Sequence, residues 1–512
     1  MYGRTFGNII DALAERFPTA PALVDGDLRL TFSEIVDEIR AVGQALRTLG
    51  LRPGDRIGIA MTDSVELVLA MHGALWAGIT VVPMNIKLSS ENHAYMLGDA
   101  ETKALLYHSP TAEHVRRIRA NVEIPHVLIL GSHAGEEPAL DVSGYSARTS
   151  APADVDPEAE AWVQYTGGTT GLPKGVVHSH RTALSTLVGC ALELGLEPGE
   201  RHAHVAPLTH GGFATFFPVW MRGGCNVLLR GFDVDRLLDA IESERITSTL
   251  LVPTMVTLLL SSPRLATAQL PSLRTLIYGA APITPGTLDR ALKKLGPVLV
   301  QCYGQTECFA QISVLGKADH VRASTDKDLL TSAGRPVVVA EVRVGDEECE
   351  PVAVGELGEI LVRGPHVFLE YLHRPAETAE AKRGGWLHTG DIGRRDAGGY
   401  IHLVDRKKDM IISGGFNVYP KEVEDVLDQH PLIREVCVVG LPDARWGERV
   451  AAAIVSAPGA DRQTLAAEAA ALVREKKGAV YVPKTIEFVE EIPLTAYGKY
   501  DKKSLRASLA AS

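Results

Sequence analysis

The run Tyr165-Thr166-Gly167-Gly168-Thr169-Thr170-Gly171-Leu172-Pro173-Lys174, closed by Gly175, gathers three glycines, three threonines, one proline and one lysine. Glycines let the backbone turn until several N–H groups face one anion, hydroxyls add donors, and Lys174 adds a cation. Pro173 stiffens the approach to that lysine. The composition suits a triphosphate. It is not the common nucleotide loop, which needs Gly, four residues and then Gly-Lys-Ser/Thr; here the order is Gly171-Leu172-Pro173-Lys174-Gly175, which disfavours a P-loop NTPase. A flexible Gly/Thr turn without a ligand is the plain alternative.

Further groups of residues can do chemistry. Tyr303-Gly304-Gln305-Thr306-Glu307 follows the apolar run 298–300 and so falls at a strand's C-terminal end, where open α/β sheets bind ligands. A glutamate there can hold Mg²⁺ with phosphate oxygens, a threonine can donate to phosphate, and a tyrosine can stack on a base; the pentapeptide also fits an ordinary loop. Gly279-Ala280-Ala281-Pro282 offers small residues where a flat ligand can lie close to backbone, or equally a tight turn into the next helix. Asp391 ends Trp386-Leu387-His388-Thr389-Gly390-Asp391; an acid beside a glycine suits a ribose diol, and equally a turn or an N-cap. Asp405-Arg406-Lys407-Lys408-Asp409 is a charged run between apolar strands at a domain junction, and Lys499 follows a glycine in a loop near the C-terminal end. His178, His180, His202, His204 and His210 invite a metal reading, but there is no His-Glu-x-x-His and no cysteine cluster to support it.

The elements that must position these residues alternate. Residues 32–49 have helical apolar spacing and stop at Gly50, a C′ glycine, and 56–60 reads as a buried strand. Residues 64–77 predict a second amphipathic helix, 80–83 a strand, 91–98 a helix and 104–107 a strand. The alternation returns with strands at 225–229, 248–252, 275–278 and 298–303 and helices at 233–243 and 288–295. Such a pattern implies a largely parallel sheet covered on both faces, a doubly wound α/β body. Residues 161–165 and 176–177 read as strands flanking the glycine run, and 131–160 as a surface loop before it. Beyond about 340 the chain turns strand-rich at 341–344, 358–363 and 400–405, a β subdomain. From Asp409 a small α/β unit begins, with strands at 410–412, 436–439 and 451–455 and helices at 422–429 and 464–476.

At 512 residues the chain exceeds one core, since cores stop growing at roughly 250–300 residues, so two or more domains are expected. Charged residues at 22% and hydrophobic residues at 46% place it among globular proteins. A net charge of −11 without a basic block argues against nucleic acid as the main partner. The six cysteines are scattered without a Cys-x-x-Cys pair and read as reduced core residues of a cytoplasmic protein. No secretion signal is expected, and the apolar windows at 73–84 and 250–260 are too short to span a bilayer. The oligomeric state stays open, with a homodimer among the assemblies.

Taken in order, YTGGTTGLPKG, YGQTE, WLHTGD, VDRKKDMIISGG and PLTAYGK resemble the ordered signature motifs of the acyl-adenylate-forming, AMP-binding superfamily, which includes acyl-CoA synthetases, aryl-CoA ligases, luciferases and peptide-synthetase adenylation domains. The resemblance covers nearly the whole chain. HTGD, MIISGGFNVYPKEVE and Pro442-Asp443-Ala444-Arg445-Trp446-Gly447 are most similar to acyl- and aryl-CoA ligases. The resemblance implies an AMP-binding adenylation domain over 1–407 and a mobile lid over 408–512, hinged at Lys408. It implies that Thr166, Gly167, Gly168, Thr169, Thr170, Gly171 and Lys174 hold the ATP phosphates, that Thr306 contacts the AMP phosphate and that Glu307 holds Mg²⁺. Tyr303 would stack near adenine beside Gly279, Ala280, Ala281 and Pro282, Asp391 and Arg406 would bind the ribose, and Lys499 would serve the adenylation step. Gly414 and Gly415, with Trp446 nearby, would line the CoA pantetheine tunnel, and His210 and Gly211 would border the acyl pocket.

Two positions depart from the family pattern: Val480-Tyr481 lacks a lysine that commonly precedes Val-Pro-Lys, and Phe416 replaces a polar residue after the glycine pair. The implied activity is an AMP-forming acyl-CoA synthetase using ATP, Mg²⁺ and CoA on a medium-chain, aryl or alicyclic carboxylic acid. The alternatives are a stand-alone adenylation enzyme that loads a carrier protein's phosphopantetheine and a non-catalytic nucleotide or acyl-CoA binding protein.

Overall fold

The computed structural model describes residues 4–131, 138–143, 145, 150–166, 172–495 and 500–511. The large N-terminal body is mixed α/β, as the alternation predicts, but it carries two large sheets. One has seven strands in the order Glu370–Tyr371, Lys174–Ser179, Glu160–Thr166, Thr80–Pro83, Arg56–Ala60, Ala104–Tyr107, His126–Ile129. The other has nine, in the order Arg335–Pro336, Ser313–Leu315, Leu299–Tyr303, Thr275–Gly279, Ser248–Leu251, Arg201–His204, Cys225–Leu228, Pro21–Asp25, Leu28–Thr31. Interior pairings such as Arg56–Ala60 with Thr80–Pro83 and Thr275–Gly279 with Leu299–Tyr303 are parallel, while Glu160–Thr166 with Lys174–Ser179 is antiparallel. Parallel strands buried on both faces read as continuous apolar runs, which is why they were legible.

The helix Phe32–Thr48 begins with a capping box on Thr31 and Glu34 and is followed by Gly50 at φ +100°, the left-handed stop its sequence announces. The helix Val65–Trp76 departs from expectation. It is buried all round rather than amphipathic: Leu67, Val68, Met71, His72, Leu75 and Trp76 are all in the core. A Cβ on Gly73 would stand 2.6 Å from Val42, and one on Gly43 would stand 2.6 Å from Trp76, so two glycines let these helices approach closely.

The β subdomain is an antiparallel sheet of four strands, Glu341–Gly345, Gly358–Arg363, Leu387–Arg395 and Ile401–Arg406. Leu387–Arg395 was not anticipated, because glycines and charged residues interrupt its apolar pattern, yet its burial alternates residue by residue. The small C-terminal domain has a five-stranded sheet, Phe416–Val418, Ile411–Ser413, Gly447–Ser456, Ile433–Asp443 and Thr485–Phe488. Val423, Leu427, Val438, Ile454, Leu465 and Val473 give it a core of its own. Among the described residues no helix is long and apolar enough to cross a membrane.

The strand ends near the second sheet's C-terminal edge are crowded. A Cβ on Gly279 would overlap the Cys302 carbonyl, and one on Gly304 would overlap the Ala310 carbonyl, whereas a Cβ on Gly211 would meet open space. Gly279→Ala and Gly304→Ala are therefore expected to destabilise the protein by about 3 kcal/mol each, while Gly211→Ala leaves stability within about 0.5 kcal/mol. Urea unfolding of the three variants checks this.

Buried histidines set the acid limit. Burial pushes His72, His180, His204 and His366 down to about 4 and His178 to about 3. The unfolded chain then binds more protons than the folded one between pH ~6.5 and ~4, so stability is full above ~6.5 and is lost as pH falls through that window. Each histidine contributes a slope of up to about 1.4 kcal/mol per pH unit inside it. The urea midpoint should fall steeply from pH 7 to pH 5; a midpoint unchanged over that range would contradict neutral burial.

Candidate functional site

Asp391 occupies the middle of Leu387–Arg395, opposite Arg406 in the antiparallel register, and is neither a turn residue nor an N-cap. Arg406 Nε lies 2.9 Å from Asp391 Oδ1, and the Tyr303 hydroxyl donates to Asp391 Oδ2 at 2.6 Å. Two sheets thus meet at one carboxylate, since Tyr303 ends the strand Leu299–Tyr303 of the nine-stranded sheet. The Asp391 charge holds Arg406 above the usual arginine range, and burial followed by that same charge pushes the Tyr303 phenol up.

Thr306 and Glu307 lie in the 3₁₀ turn Thr306–Cys308 just beyond that strand. Glu307 is fixed by the Tyr371 hydroxyl, which donates to Oε1 at 2.7 Å, and the Thr306 carbonyl lies 2.7 Å from His178 Nε2. Lys174 Nζ stands 5.1 Å from the centre of the Tyr371 ring. Lys174 is not in the loop proper: it opens the strand Lys174–Ser179 and pairs with Thr166 across the hairpin. One tyrosine therefore links the lysine of the glycine run to the glutamate of YGQTE. Lys408, in the turn Lys407–Asp409, is within electrostatic reach of Arg406, Asp391 and Glu307; burial lowers its ammonium, with Arg406 adding to the effect.

A second group lies toward the other end of Glu160–Thr166. The Trp162 indole donates to Gln164 Oε1 at 3.0 Å, which turns the Gln164 amide nitrogen to His210 Nε2 at 3.1 Å. An amide NH₂ only donates, so His210 Nε2 accepts and the ring is neutral with its proton on Nδ1, which faces Thr209 Oγ1 at 3.3 Å. Trp162 packs on Phe213 and Phe309 with ring centres 4.2 and 5.3 Å apart, giving an apolar wall beside His210. Gly211 adjoins it, and Gly279, Ala280, Ala281 and Pro282 lead from strand Thr275–Gly279 toward the helix Pro285–Leu295, with Ala280 at φ +66°.

Gly414 and Gly415 have φ of +59° and +82° and form the turn between Ile411–Ser413 and Phe416–Val418. Gly414 donates its N–H to the Trp446 carbonyl at 2.8 Å, and a Cβ on it would strike the indole, so Trp446 packs on Gly414, while a Cβ on Gly415 would meet open space. Gly167, Gly168, Thr169, Thr170, Gly171 and Lys499 lie outside the described residues. The segment carrying Lys499 is flanked by a bridge from Leu494 to Tyr500 and by the Asp501 N–H donating to the Pro493 carbonyl at 2.7 Å.

Tyr371, Gln164, Trp162 and Phe309 were missed as site residues. Alternation was a usable signal for Trp162 and Gln164, which share a strand face with Thr166. Tyr371 reaches Glu307 only through the edge pairing of Glu370–Tyr371 with Lys174–Ser179, which no local pattern announces.

The AMP-binding enzyme family model matches residues 10–372, and the model of the AMP-binding enzyme C-terminal domain matches residues 422–499. A medium/long-chain-fatty-acid–CoA ligase of Mycobacterium tuberculosis is 38% identical over 517 residues, covering 98% of this chain and 89% of that protein. The structure of an amide bond synthetase from Marinactinospora thermotolerans superposes with a TM-score of 0.92 at 32% identity, covering 98% of this chain and 99% of that one. An anthranilate–CoA ligase in complex with anthranoyl-AMP superposes with a TM-score of 0.90 at 28% identity, covering 100% of this chain and 98% of that one. The chain belongs to the family of AMP-binding enzymes.

Proposed function

We propose that this protein is an AMP-forming acid–thiol ligase, an acyl-CoA synthetase that joins a fatty or aryl carboxylic acid to AMP and then passes the acyl group to the thiol of CoA. The observation that carries the reading is the carboxylate of Asp391 clamped between Arg406 and Tyr303 beside the linked set Glu307, Tyr371 and Lys174. A buried acid oriented by two donors suits a ribose diol, and a lysine beside an oriented glutamate suits a polyphosphate.

The first step draws a carboxylate to the α-phosphorus of ATP, so two anions must be brought together. Lys174 and the loop from Thr166 to Gly171 would hold the phosphates, Thr306 would donate to the α-phosphate, and Lys499 would add charge as pyrophosphate departs. The Glu307 carboxylate fits Mg²⁺, because Tyr371 fixes its orientation through Oε1 and Oε2 is the oxygen a cation would take; bound there, the ion would neutralise phosphate charge. Gly279, Ala280, Ala281 and Pro282 with Tyr303 would seat the adenine, and neutral His210 with Gly211 would border the acyl chain against Trp162, Phe213 and Phe309.

We place the boundary between body and lid at Lys408, with reorientation there bringing the hairpin of Gly414 and Gly415 to the site for the thiol step. Bare backbone at positive φ, packed by Trp446, suits a narrow pantetheine arm. Six free cysteines fit a cytoplasmic location. The likeness to an amide bond synthetase favours a second reading in which an amine replaces the CoA thiol as acceptor.

A panel of fatty, aryl and alicyclic acids with ATP and Mg²⁺, trapped with hydroxylamine, should yield AMP, pyrophosphate and a hydroxamate for at least one class; silence across the panel would sink the proposal. Omitting hydroxylamine and supplying either CoA or simple amines separates the two acceptors. Lys499→Ala should cut acyl-adenylate formation by about 10²-fold or more while leaving thioester formation from supplied acyl-adenylate within a few-fold. Asp391→Asn should raise KM for ATP by about tenfold, the scale of one charge-assisted hydrogen bond, with KM for the acid little changed.

A further inference from the structure

Away from the adenylation residues, the β subdomain holds a thiol, an imidazole and a carboxylate in line. Cys349 Sγ lies 3.4 Å from His388 Nε2, and His388 Nδ1 lies 3.1 Å from Glu359 Oε2. A carboxylate only accepts, so Nδ1 carries a proton, and in the neutral ring Nε2 turns its lone pair to the thiol. Glu359 is fixed in turn: the Gly390 N–H donates to Oε1 at 3.0 Å, and Arg383 Nη2 and Lys407 Nζ approach Oε2 at 3.7 and 4.0 Å. Arg343 Nη1 donates to the Cys349 carbonyl at 2.7 Å. A base within hydrogen-bond reach of the sulfur and an acid that orients the base are the parts of a nucleophilic thiol site.

The backbone around this sulfur is constrained. Cys349 sits at φ +66°, a conformation few side-chain-bearing residues adopt, and Gly384 at φ +63° faces it so closely that a Cβ there would stand 3.0 Å from Sγ. Cys349 is itself buried, against Leu361 and Trp386, as four of the other five thiols are buried, while Cys302 is half-buried. Burial raises Cys190, Cys308 and Cys437, and pushes Cys225 to about 11 and Cys302 to about 12. Among the described residues, Cys349 is the cysteine whose sulfur has an imidazole as hydrogen-bond partner.

We propose that Cys349 is a reactive thiol, oxidised by small hydroperoxides ahead of the other five cysteines, with His388 as its base and Glu359 as the positioning residue. His388 Nε2 takes the thiol proton, the sulfur attacks the nearer peroxide oxygen, and the O–O bond breaks. The proton passes from His388 to the departing hydroxide or alkoxide, so a sulfenic acid and water or an alcohol result; sulfur loses the two electrons that the peroxide gains.

The test uses the whole folded protein treated with limiting hydrogen peroxide, trapped with dimedone and mapped by mass spectrometry, with initial alkylation rates by iodoacetamide as a second readout. Cys349 should carry about tenfold more adduct than any other cysteine, and folded His388→Asn should label at Cys349 at least about tenfold more slowly, with Glu359→Gln between the two. Equal or earlier labelling of Cys302 or Cys225 in the unmodified sequence overturns the proposal without any variant. So does a folded His388→Asn protein that labels at Cys349 at the original rate.

Discussion

The structure turns on one carboxylate. Asp391 belongs to the antiparallel β subdomain, Tyr303 to the large parallel sheet, and Arg406 to the last strand before the C-terminal domain, and all three converge within hydrogen-bond distance. A buried acid with one donor would be poorly compensated, but with a guanidinium on one oxygen and a phenol on the other it is held in a single orientation. Removing either partner leaves the charge short of donors in a place that burial makes expensive, so the three elements are locked together by the same contact that shapes the site. The Thr306–Cys308 turn begins three residues after Tyr303, so it is tied to that anchored strand end, and His178 grips it from the other side through the Thr306 carbonyl.

What the sequence disclosed follows from how local each signal is. Buried parallel strands such as Arg56–Ala60 and Thr275–Gly279 are short continuous apolar runs, and Gly50 and Thr31 mark helix ends by chemistry confined to a few residues. Asp391 was legible as a candidate from its motif, while its strand was not, because three of its four buried positions, Thr389, Asp391 and Gly393, are polar or glycine and give no apolar alternation. Val65–Trp76 misled for the opposite reason: a helix packed on every side has no polar stripe to betray its period. Tyr371 lay beyond reach altogether. Its hydroxyl meets Glu307 only because a two-residue edge strand pairs with the strand opened by Lys174, and edge pairing depends on tertiary packing rather than on either segment's own residues.

The histidines show how polar groups can be structural and still serve the site. His72 bonds the Val68 carbonyl and stacks on Phe217, His204 meets Asn226, and His178 and His210 take defined roles beside Thr306 and Gln164. A cluster that suggests metal by composition is thus spread across separate hydrogen-bond pairs. Each ring is held neutral by its surroundings, and a neutral imidazole is an aromatic of middling size with one donor and one acceptor, well suited to finish carbonyls in a crowded interior. The consequence is a fold whose acid tolerance is limited by the same groups that stiffen the site.

The chain on both sides of Lys408, the proposed boundary between body and lid, is held by specific contacts. Before it, the Asp405 carboxylate accepts the Lys421 N–H at 2.9 Å, and burial raises that acid while the Lys502 ammonium offsets the penalty. Lys502 is itself 3.4 Å from Glu424 on the helix Pro420–Leu427. Asp405 therefore ties the last strand of the β subdomain to the C-terminal domain by a contact that bypasses the turn Lys407–Asp409. A rotation of the C-terminal domain about Lys408, as proposed above, would break that bond and re-solvate Asp405, which would make this aspartate, three residues before the proposed pivot, a contributor to the free-energy difference between orientations. The contacts such a movement would release decide its cost, and Asp405 is compensated from both sides: by Lys421 and Lys502 of the C-terminal domain, and by the Arg406 N–H of its own strand, which donates to Oδ1 at 2.7 Å.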